Sequence, residues 1–125
     1  MCAFGQPVGR PANLSFHPVP DGSFAFDTGI LKGTFRSEGR SIGLLPVTHS
    51  ATGLDLAASM GLFGLYRVFA NGRRYGTGMW YVPSTATLES NGSVTVAWPA
   101  AEDRPYAVTA NYRWSAPSAL DLSLG

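Results

Sequence analysis

The sequence predicts an all-β protein built as an antiparallel β-sandwich. Fifteen glycines and nine prolines among 125 residues suit a chain with many turns and disfavour a helical bundle. Short segments that alternate between apolar and polar residues recur about every ten residues, as expected for antiparallel strands. Apolar residues make up 45% of the chain, which excludes intrinsic disorder.

The N-terminal half is predicted to contain a lead-in and four strands. Residues 1–22 carry four prolines and no periodic pattern, so they are interpreted as irregular, ahead of a single sandwich domain over residues 23–125. Pro46 places one strand at a sheet edge or a bulge, because proline donates no hydrogen bond to a ladder. Residues 54–60 lack an apolar stripe and are interpreted as a loop with at most one turn. The predicted strands are residues 23–27, 30–36, 42–49 and 65–70.

Two Asn-Gly pairs predict hairpins in the middle of the chain. Both residues of such a turn need a positive φ, which Asn and Gly tolerate best. Asn71-Gly72 should return the chain through residues 73–75. Asn91-Gly92 lies between predicted strands at residues 86–89 and 93–98 and gives the clearest hairpin pattern in the sequence.

The C-terminal part is also predicted to be extended. Residues 79–82 are expected to form a short strand, and residues 119–124 a last one after a turn at Pro117. The longest alternating run covers residues 106–114. Trp98 and the tryptophan that ends this run are interpreted as core residues. One face of the run carries Tyr106, Val108, Ala110, Tyr112 and Trp114.

Charge and terminal residues exclude several classes of protein. A net charge of +1 disfavours a nucleic-acid-binding protein, which needs a clearly basic face. No apolar stretch has the length of a membrane span, so no membrane partner is expected. The N-terminus lacks the basic and apolar regions of a signal peptide, and the protein is expected to be cytoplasmic. Cys2, the only cysteine, can form neither an internal disulfide nor a cysteine-based zinc site.

No pattern for a metal, a cofactor or a catalytic group emerges from the sequence. His17 and His49, the only histidines, have no second ligand at a suitable spacing. They are interpreted as a surface residue and as a half-buried residue hydrogen-bonded at a strand end. No phosphate-binding glycine loop is present, so no cofactor is expected. Glu102 and Asp103 are expected to be solvated, and no catalytic residue is assigned.

One segment combines arginines and aromatic residues around the first predicted hairpin. An arginine fork binds hydroxyl pairs and carboxylates at two points, and aromatic faces pack against the apolar faces of sugar rings. This combination predicts carbohydrate binding. The alternative is an exposed hairpin with solvated arginines and core aromatics. The candidate residues are Arg67, Arg73, Arg74, Tyr75, Trp80 and Tyr81.

Three stretches carry a resemblance to a known family. Residues 61–69 (GLFGLYRVF), 73–76 (RRYG) and 103–114 (DRPYAVTANYRW) are similar to the N-terminal half of galactose-mutarotase-like β-supersandwich proteins, which include the aldose 1-epimerases. The resemblance implies that this sandwich is the first half of a supersandwich. In those isomerases a histidine and a glutamate transfer protons at the sugar, and both would lie beyond residue 125 here.

The sequence is compatible with three functions. The first is a carbohydrate-related domain of an epimerase-like protein, without a complete active site in these residues. The second is a non-catalytic carbohydrate-binding module, and the third is a lipocalin-like barrel for a small ligand. The expected partner is a sugar or polysaccharide. If the natural protein has further strands that this chain lacks, the sheet edges they would cover are unpaired here and are expected to favour self-association.

The epimerase-like interpretation predicts that the natural reading frame continues beyond Gly125 and supplies a histidine and a glutamate. Sequencing past that codon tests it. A stop codon directly after Gly125 would contradict the epimerase-like interpretation and leave the binding module.

Overall fold

The computed structural model describes residues 13–36 and 41–125, which form two four-stranded antiparallel sheets and a two-stranded ribbon. The prediction of an all-β, antiparallel fold is confirmed. In each four-stranded sheet every strand pairs with the next strand along the chain. Both sheets are therefore simple meanders, joined by the segment that carries the ribbon.

The first sheet contains four strands in the order β1-β2-β3-β4. The chain before residue 23 was expected to be irregular, but part of it belongs to this sheet. His17 pairs with Ala25, and Phe16 is buried in the core. The rest of that lead-in, residues 1–12, lies outside the described residues. The strands are β1 (His17–Pro18), β2 (Phe24–Asp27), β3 (Leu31–Arg36) and β4 (Gly43–His49).

Pro46 lies at a bulge in the edge strand β4, as predicted. Gly33 pairs with Val47 and Phe35 pairs with Leu44, so β4 uses one residue more than β3 over this stretch. The carbonyl oxygen of Pro46 occupies the space that a Cβ on Gly33 would need. Glycine is therefore required at residue 33 by packing against the bulge.

The second sheet has the order β10-β9-β8-β7 and contains the predicted Asn91-Gly92 hairpin. Its turn is longer than two residues, because the amide of Glu89 donates to the carbonyl of Ser93 at 2.8 Å. The Asn91 side chain accepts from the Ser93 amide at 3.0 Å, which closes the turn. The strands are β7 (Thr85–Leu88), β8 (Val94–Trp98), β9 (Val108–Ala116) and β10 (Ala119–Leu124).

The segment between the sheets forms a ribbon and a short helix. Strands β5 (Val68–Ala70) and β6 (Arg73–Tyr75) pair through Asn71 and Gly72, whose φ angles of 52° and 76° match the predicted turn. The first of these strands is shorter than expected, since residues 65–67 lie outside it.

The prediction of a strand at residues 79–82 is wrong, because Met79–Tyr81 forms a 3₁₀ helix. A strand would place Met79 and Tyr81 on the same face. In the structure Met79 is buried, whereas 61% of Tyr81 is exposed. The helical turn separates them, and the Trp98 indole donates to the carbonyl of Met79 at 3.2 Å.

Aromatic contacts between the inner faces of the two sheets form the core. The rings of Phe26 and Trp114 have centroids 5.0 Å apart, and those of Phe35 and Tyr112 are 4.6 Å apart. Such edge-to-face and tilted pairs stabilise a sandwich beyond the area they bury. Trp98 and Trp114 are buried, as predicted.

Two further observations bear on the alternatives. The described strands form separate sheets rather than one closed sheet, which does not match the lipocalin-like barrel. Over residues 13–36 and 41–125, no helix has the length and apolar character of a membrane span.

Gly33→Ala is expected to destabilise the protein by about 3 kcal/mol, because the added methyl group overlaps backbone rather than a movable side chain. Urea denaturation measures this loss. Gly53→Ala is the control: a methyl group there meets open space, and its left-handed φ of 74° costs only about 1–2 kcal/mol. Equal losses for the two variants would contradict the packing explanation.

Candidate functional site

A surface pocket of about 460 Å³ lies beside the 3₁₀ helix. Its volume is within the range of about 300–1,000 Å³ that is typical of small-molecule sites. Large apolar side chains in its wall remain in contact with solvent, including Met60, which is 77% exposed. Exposed apolar surface of this kind often marks a binding site. The wall is formed by Ile42, Ser59, Met60, Gly61, Phe63, Gly64, Trp80 and Tyr81.

Backbone hydrogen bonds attach one wall of the pocket to the edge strand β4. The amide of Leu44 donates to the carbonyl of Leu62 at 2.8 Å, and the amide of Leu62 donates back at 2.9 Å. Gly43 permits this close approach, because a Cβ there would overlap the Leu62 carbonyl oxygen. The residues around Leu62 are therefore held as firmly as a strand.

Backbone conformations that side chains disfavour occur in this wall and beside it. Phe63 in the wall, and Ala58 next to the wall residue Ser59, have φ angles of 63° and 50°, in the left-handed region. Each costs about 1–2 kcal/mol relative to an ordinary conformation. Among the described residues other than glycine, Asn71 in its hairpin turn is the third with a positive φ. Strain that is concentrated at a pocket supports a functional role for that pocket.

A buried tyrosine holds Phe63 in this conformation. The Tyr112 hydroxyl donates to the carbonyl oxygen of Phe63 at 2.6 Å. Burial raises the pKa of Tyr112 to about 12, so the hydroxyl keeps its proton at all moderate pH values. The core of the sandwich thereby fixes the position of the pocket wall.

Four aromatic residues form a continuous surface that leads into the pocket. We call Phe69, Tyr66, Trp80 and Tyr81 the aromatic row. Neighbouring ring centroids along it are separated by 6.4, 5.2 and 5.8 Å. The last two rings belong to the pocket wall, and Phe69, Tyr66 and Tyr81 are each at least half exposed. Neighbouring rings are tilted by 39°, 32° and 61°, so the row offers a ligand a series of separate apolar ring faces.

Three of the six residues predicted from the sequence lie in the pocket wall or against Tyr66. Trp80 and Tyr81 line the pocket. The Arg67 guanidinium carbon is 5.2 Å from the centre of the Tyr66 ring. The Nε atom of Arg67 is buried and has no hydrogen-bond partner.

The other three predicted residues lie on the ribbon, on two different faces. Arg73 pairs with Ala70 and Tyr75 pairs with Val68, so both point to one side, whereas Arg74 pairs with Phe69 on the opposite side. The Arg73 guanidinium lies 4.9 Å from the centre of the Tyr75 ring. The structure therefore places Arg74 with the aromatic row, and places Arg73 and Tyr75 on the other face.

Tyr75 contacts Tyr106 rather than the pocket. Their rings meet edge to face, with centroids 5.2 Å apart. The hydrogen bond to Tyr75 raises the pKa of Tyr106. Tyr106 was predicted to begin the strand that ends at Trp114, but it precedes β9 and is 38% exposed.

Sequence reasoning missed the wall at residues 59–64: residues 54–60 were interpreted as a loop, and residues 61–64 were noted only for the family resemblance. The available signal was the GLFG motif at residues 61–64, where apolar residues stand between glycines. It also missed Arg104, which is buried and donates to the carbonyl oxygens of Pro99 at 2.8 Å and of Tyr106. Arg104 thereby clamps the loop before β9. Its neighbours Glu102 and Asp103 are exposed, as predicted.

The histidines lie away from the pocket wall. His17 is exposed, and half-buried His49 at the end of β4 has its Nδ1 atom 2.7 Å from the Thr52 hydroxyl. Both placements match the predictions. Within the described part of the chain, no three residues of metal-binding type cluster together.

Comparison of the chain with protein-family models, curated proteins and solved structures finds no match. The resemblance to galactose-mutarotase-like proteins therefore stays a prediction. Function has to be inferred from the pocket and the aromatic row.

Tyr112→Phe should destabilise the protein by about 1 kcal/mol at neutral pH, because the Phe63 carbonyl loses its partner. The difference should shrink and then reverse at high pH. The pKa of Tyr112 is about 12 in the folded protein against a usual value of 10.0, so its stabilising contribution is complete below pH 10 and is lost as the pH rises toward 12. That loss amounts to at most about 3 kcal/mol.

Urea denaturation of both proteins at pH 8 and pH 11.5 tests this expectation. The wild type should lose more stability than Tyr112→Phe between the two pH values. Equal losses would show that burial of the Tyr112 hydroxyl does not affect stability at alkaline pH.

Proposed function

We propose that this chain is a carbohydrate-binding β-sandwich domain in which a sugar ring packs against Trp80 and Tyr81. The observation that supports this most strongly is the aromatic row, whose rings at the pocket lie 5.8 Å apart and remain accessible. Sugars present an apolar C–H face and a rim of hydroxyl groups. Tryptophan and tyrosine match both, because each combines a large apolar ring with a hydrogen-bonding group.

The polar groups of the pocket suit the hydroxyl rim of such a ligand. The wall includes Ser59, the Tyr81 phenol and backbone around Gly61 and Gly64. A few polar groups in a mainly apolar wall are the usual arrangement for orienting a small ligand. With one or two stacked rings, the expected dissociation constant lies in the millimolar to micromolar range.

The pocket favours binding over catalysis. Epimerisation requires two proton-transferring groups within hydrogen-bond reach of the sugar. The described wall consists of apolar and aromatic residues, glycines and a serine, with neither a carboxylate nor an imidazole. The proposed role of these residues is therefore recognition, whether the chain acts alone or within a longer sugar-processing protein.

Tyr81→Ala should weaken saccharide binding about tenfold, which corresponds to about 1.4 kcal/mol for the lost ring contact. Because Tyr81 is largely exposed, the variant should keep the melting temperature of the wild type. Calorimetric titration with a panel of neutral and acidic mono- and oligosaccharides measures the effect.

Tyr106→Ala is the matched control, since it removes a partly exposed tyrosine outside the pocket wall. It should leave the affinity unchanged. The proposal would be refuted if no saccharide binds, or if both alanine variants weaken binding equally.

A further inference from the structure

The segment that builds the pocket and the ribbon carries positive charge only. Between Asp55 and Glu89 the sequence contains three arginines and no carboxylate. Among the described residues, one ion pair is present, and it joins Arg113 to Asp121 on the second sheet. Within the same residues, no ion pair involves Arg67, Arg73 or Arg74. Their charges are therefore available to a ligand.

Arg67 is the arginine whose surroundings point most clearly to an anion. It is half buried, and its Nε donor lies out of water without a partner, which is unfavourable for a polar group. Contact with the face of Tyr66 at 5.2 Å compensates part of the charge but satisfies no donor. The buried Nε–H is closed to a ligand, but the two terminal nitrogens are not buried, and their N–H groups form an end-on fork that matches the two oxygens of a carboxylate.

Arg67 is linked to the pocket through two ring contacts. Its guanidinium lies over Tyr66, and the Tyr66 ring lies 5.2 Å from Trp80 in the pocket wall. An anionic group of a ligand that packs on Trp80 and Tyr66 would come close to this guanidinium. Arg74 lies on the same face of the ribbon as Phe69, at the far end of the aromatic row.

We infer that the ligand is an acidic sugar, one of whose carboxylates binds the Arg67 fork while its rings pack along the aromatic row. This inference rests on the proposed carbohydrate-binding function. Arg74 provides a second cation along the row, so the best ligand is an oligosaccharide of hexuronate units. A neutral oligosaccharide with the same rings and linkages lacks the carboxylates, so it cannot form the charge-assisted hydrogen bonds and binds more weakly.

Arg73 on the ribbon provides a control arginine of equal charge for Arg67. It has the same charge and a similar exposed environment to Arg74, but it lies on the opposite face, over the ring of Tyr75. A nonspecific attraction of anions to positive charge would depend on Arg73 and Arg67 alike. Specific recognition along the aromatic row would depend on Arg67 and not on Arg73.

The test compares oligogalacturonate with the neutral galactose oligomer of the same length, by calorimetric titration at 50 mM and 500 mM salt. The wild type should bind the acidic ligand at least tenfold more tightly at low salt, and the preference should decrease at high salt because exposed charges are screened. Arg67→Gln should reduce the preference to about twofold or less. Arg73→Gln should leave it within about twofold of the wild type.

The outcomes separate this inference from the proposed function. Equal binding of both oligomers by the wild type, or an unchanged preference in Arg67→Gln, would overturn the acidic ligand and leave carbohydrate binding in place. Absence of binding to both oligomers would overturn the inference, and absence of binding to every saccharide of the panel would overturn the proposed function as well. Tighter binding of a single-stranded oligonucleotide than of oligogalacturonate, weakened by Tyr81→Ala, would also overturn the inference.

Folding of the Arg67 variant is checked by its melting curve. If Arg67→Gln is unfolded, Arg67→Lys keeps the charge and removes the fork, and it should lose most of the preference. The comparison of the two oligomers uses the wild type only, so it tests the preference for an acidic ligand even if both variants are unfolded.

Discussion

Tyr112 connects the two parts of this molecule. Its ring packs edge to face against Phe35 across the sandwich, and its hydroxyl holds the carbonyl of Phe63 in the pocket wall. A fully buried hydroxyl must find a partner, and here that partner is the backbone of a residue in a strained conformation. The packing of the two sheets therefore determines where the wall of the pocket stands. Other hydrogen bonds also attach the segment between the sheets to the sandwich, such as those between Leu44 and Leu62 and from Trp98 to Met79, but the bond from Tyr112 is the one that reaches Phe63.

Some aromatic residues of this protein are buried in the core and others are exposed at the surface. The secondary structure in which each residue lies determines its location. Phe26 and Trp114 alternate with polar neighbours on regular strands, so the pleat directs them inward. Trp80 and Tyr81 follow each other in a 3₁₀ helix, where successive side chains point in different directions. The helix buries Met79 and leaves the two rings at the surface. An exposed aromatic surface is thus built without removing aromatic residues from the core.

Much of the sandwich could be predicted from the sequence, because alternation and Asn-Gly turns act over a few residues. The run ending at Trp114 and the hairpin at Asn71-Gly72 are examples in which local pattern and final structure agree. The site could be predicted only in part. Arginines and aromatics that are clustered in sequence were expected to share one surface, but a two-stranded ribbon sends Arg73 and Arg74 to opposite faces. The wall at residues 59–64 depends on contacts with Leu44 and Tyr112, which no local pattern reveals.

The position of the pocket in the chain has a consequence for how the protein can change over evolution. Ribbon, 3₁₀ helix and most of the pocket wall belong to the single connection between two meander sheets. Replacement of its exposed side chains leaves intact both ladders and the aromatic contacts between the sheets, whereas Ala57 and Met79 of the same connection are buried in the core. The exposed surface of the pocket and most of the sandwich core are therefore encoded in different stretches of the sequence. That surface can change without changing the sandwich, as long as Gly43 and Tyr112 remain to hold the connection in place.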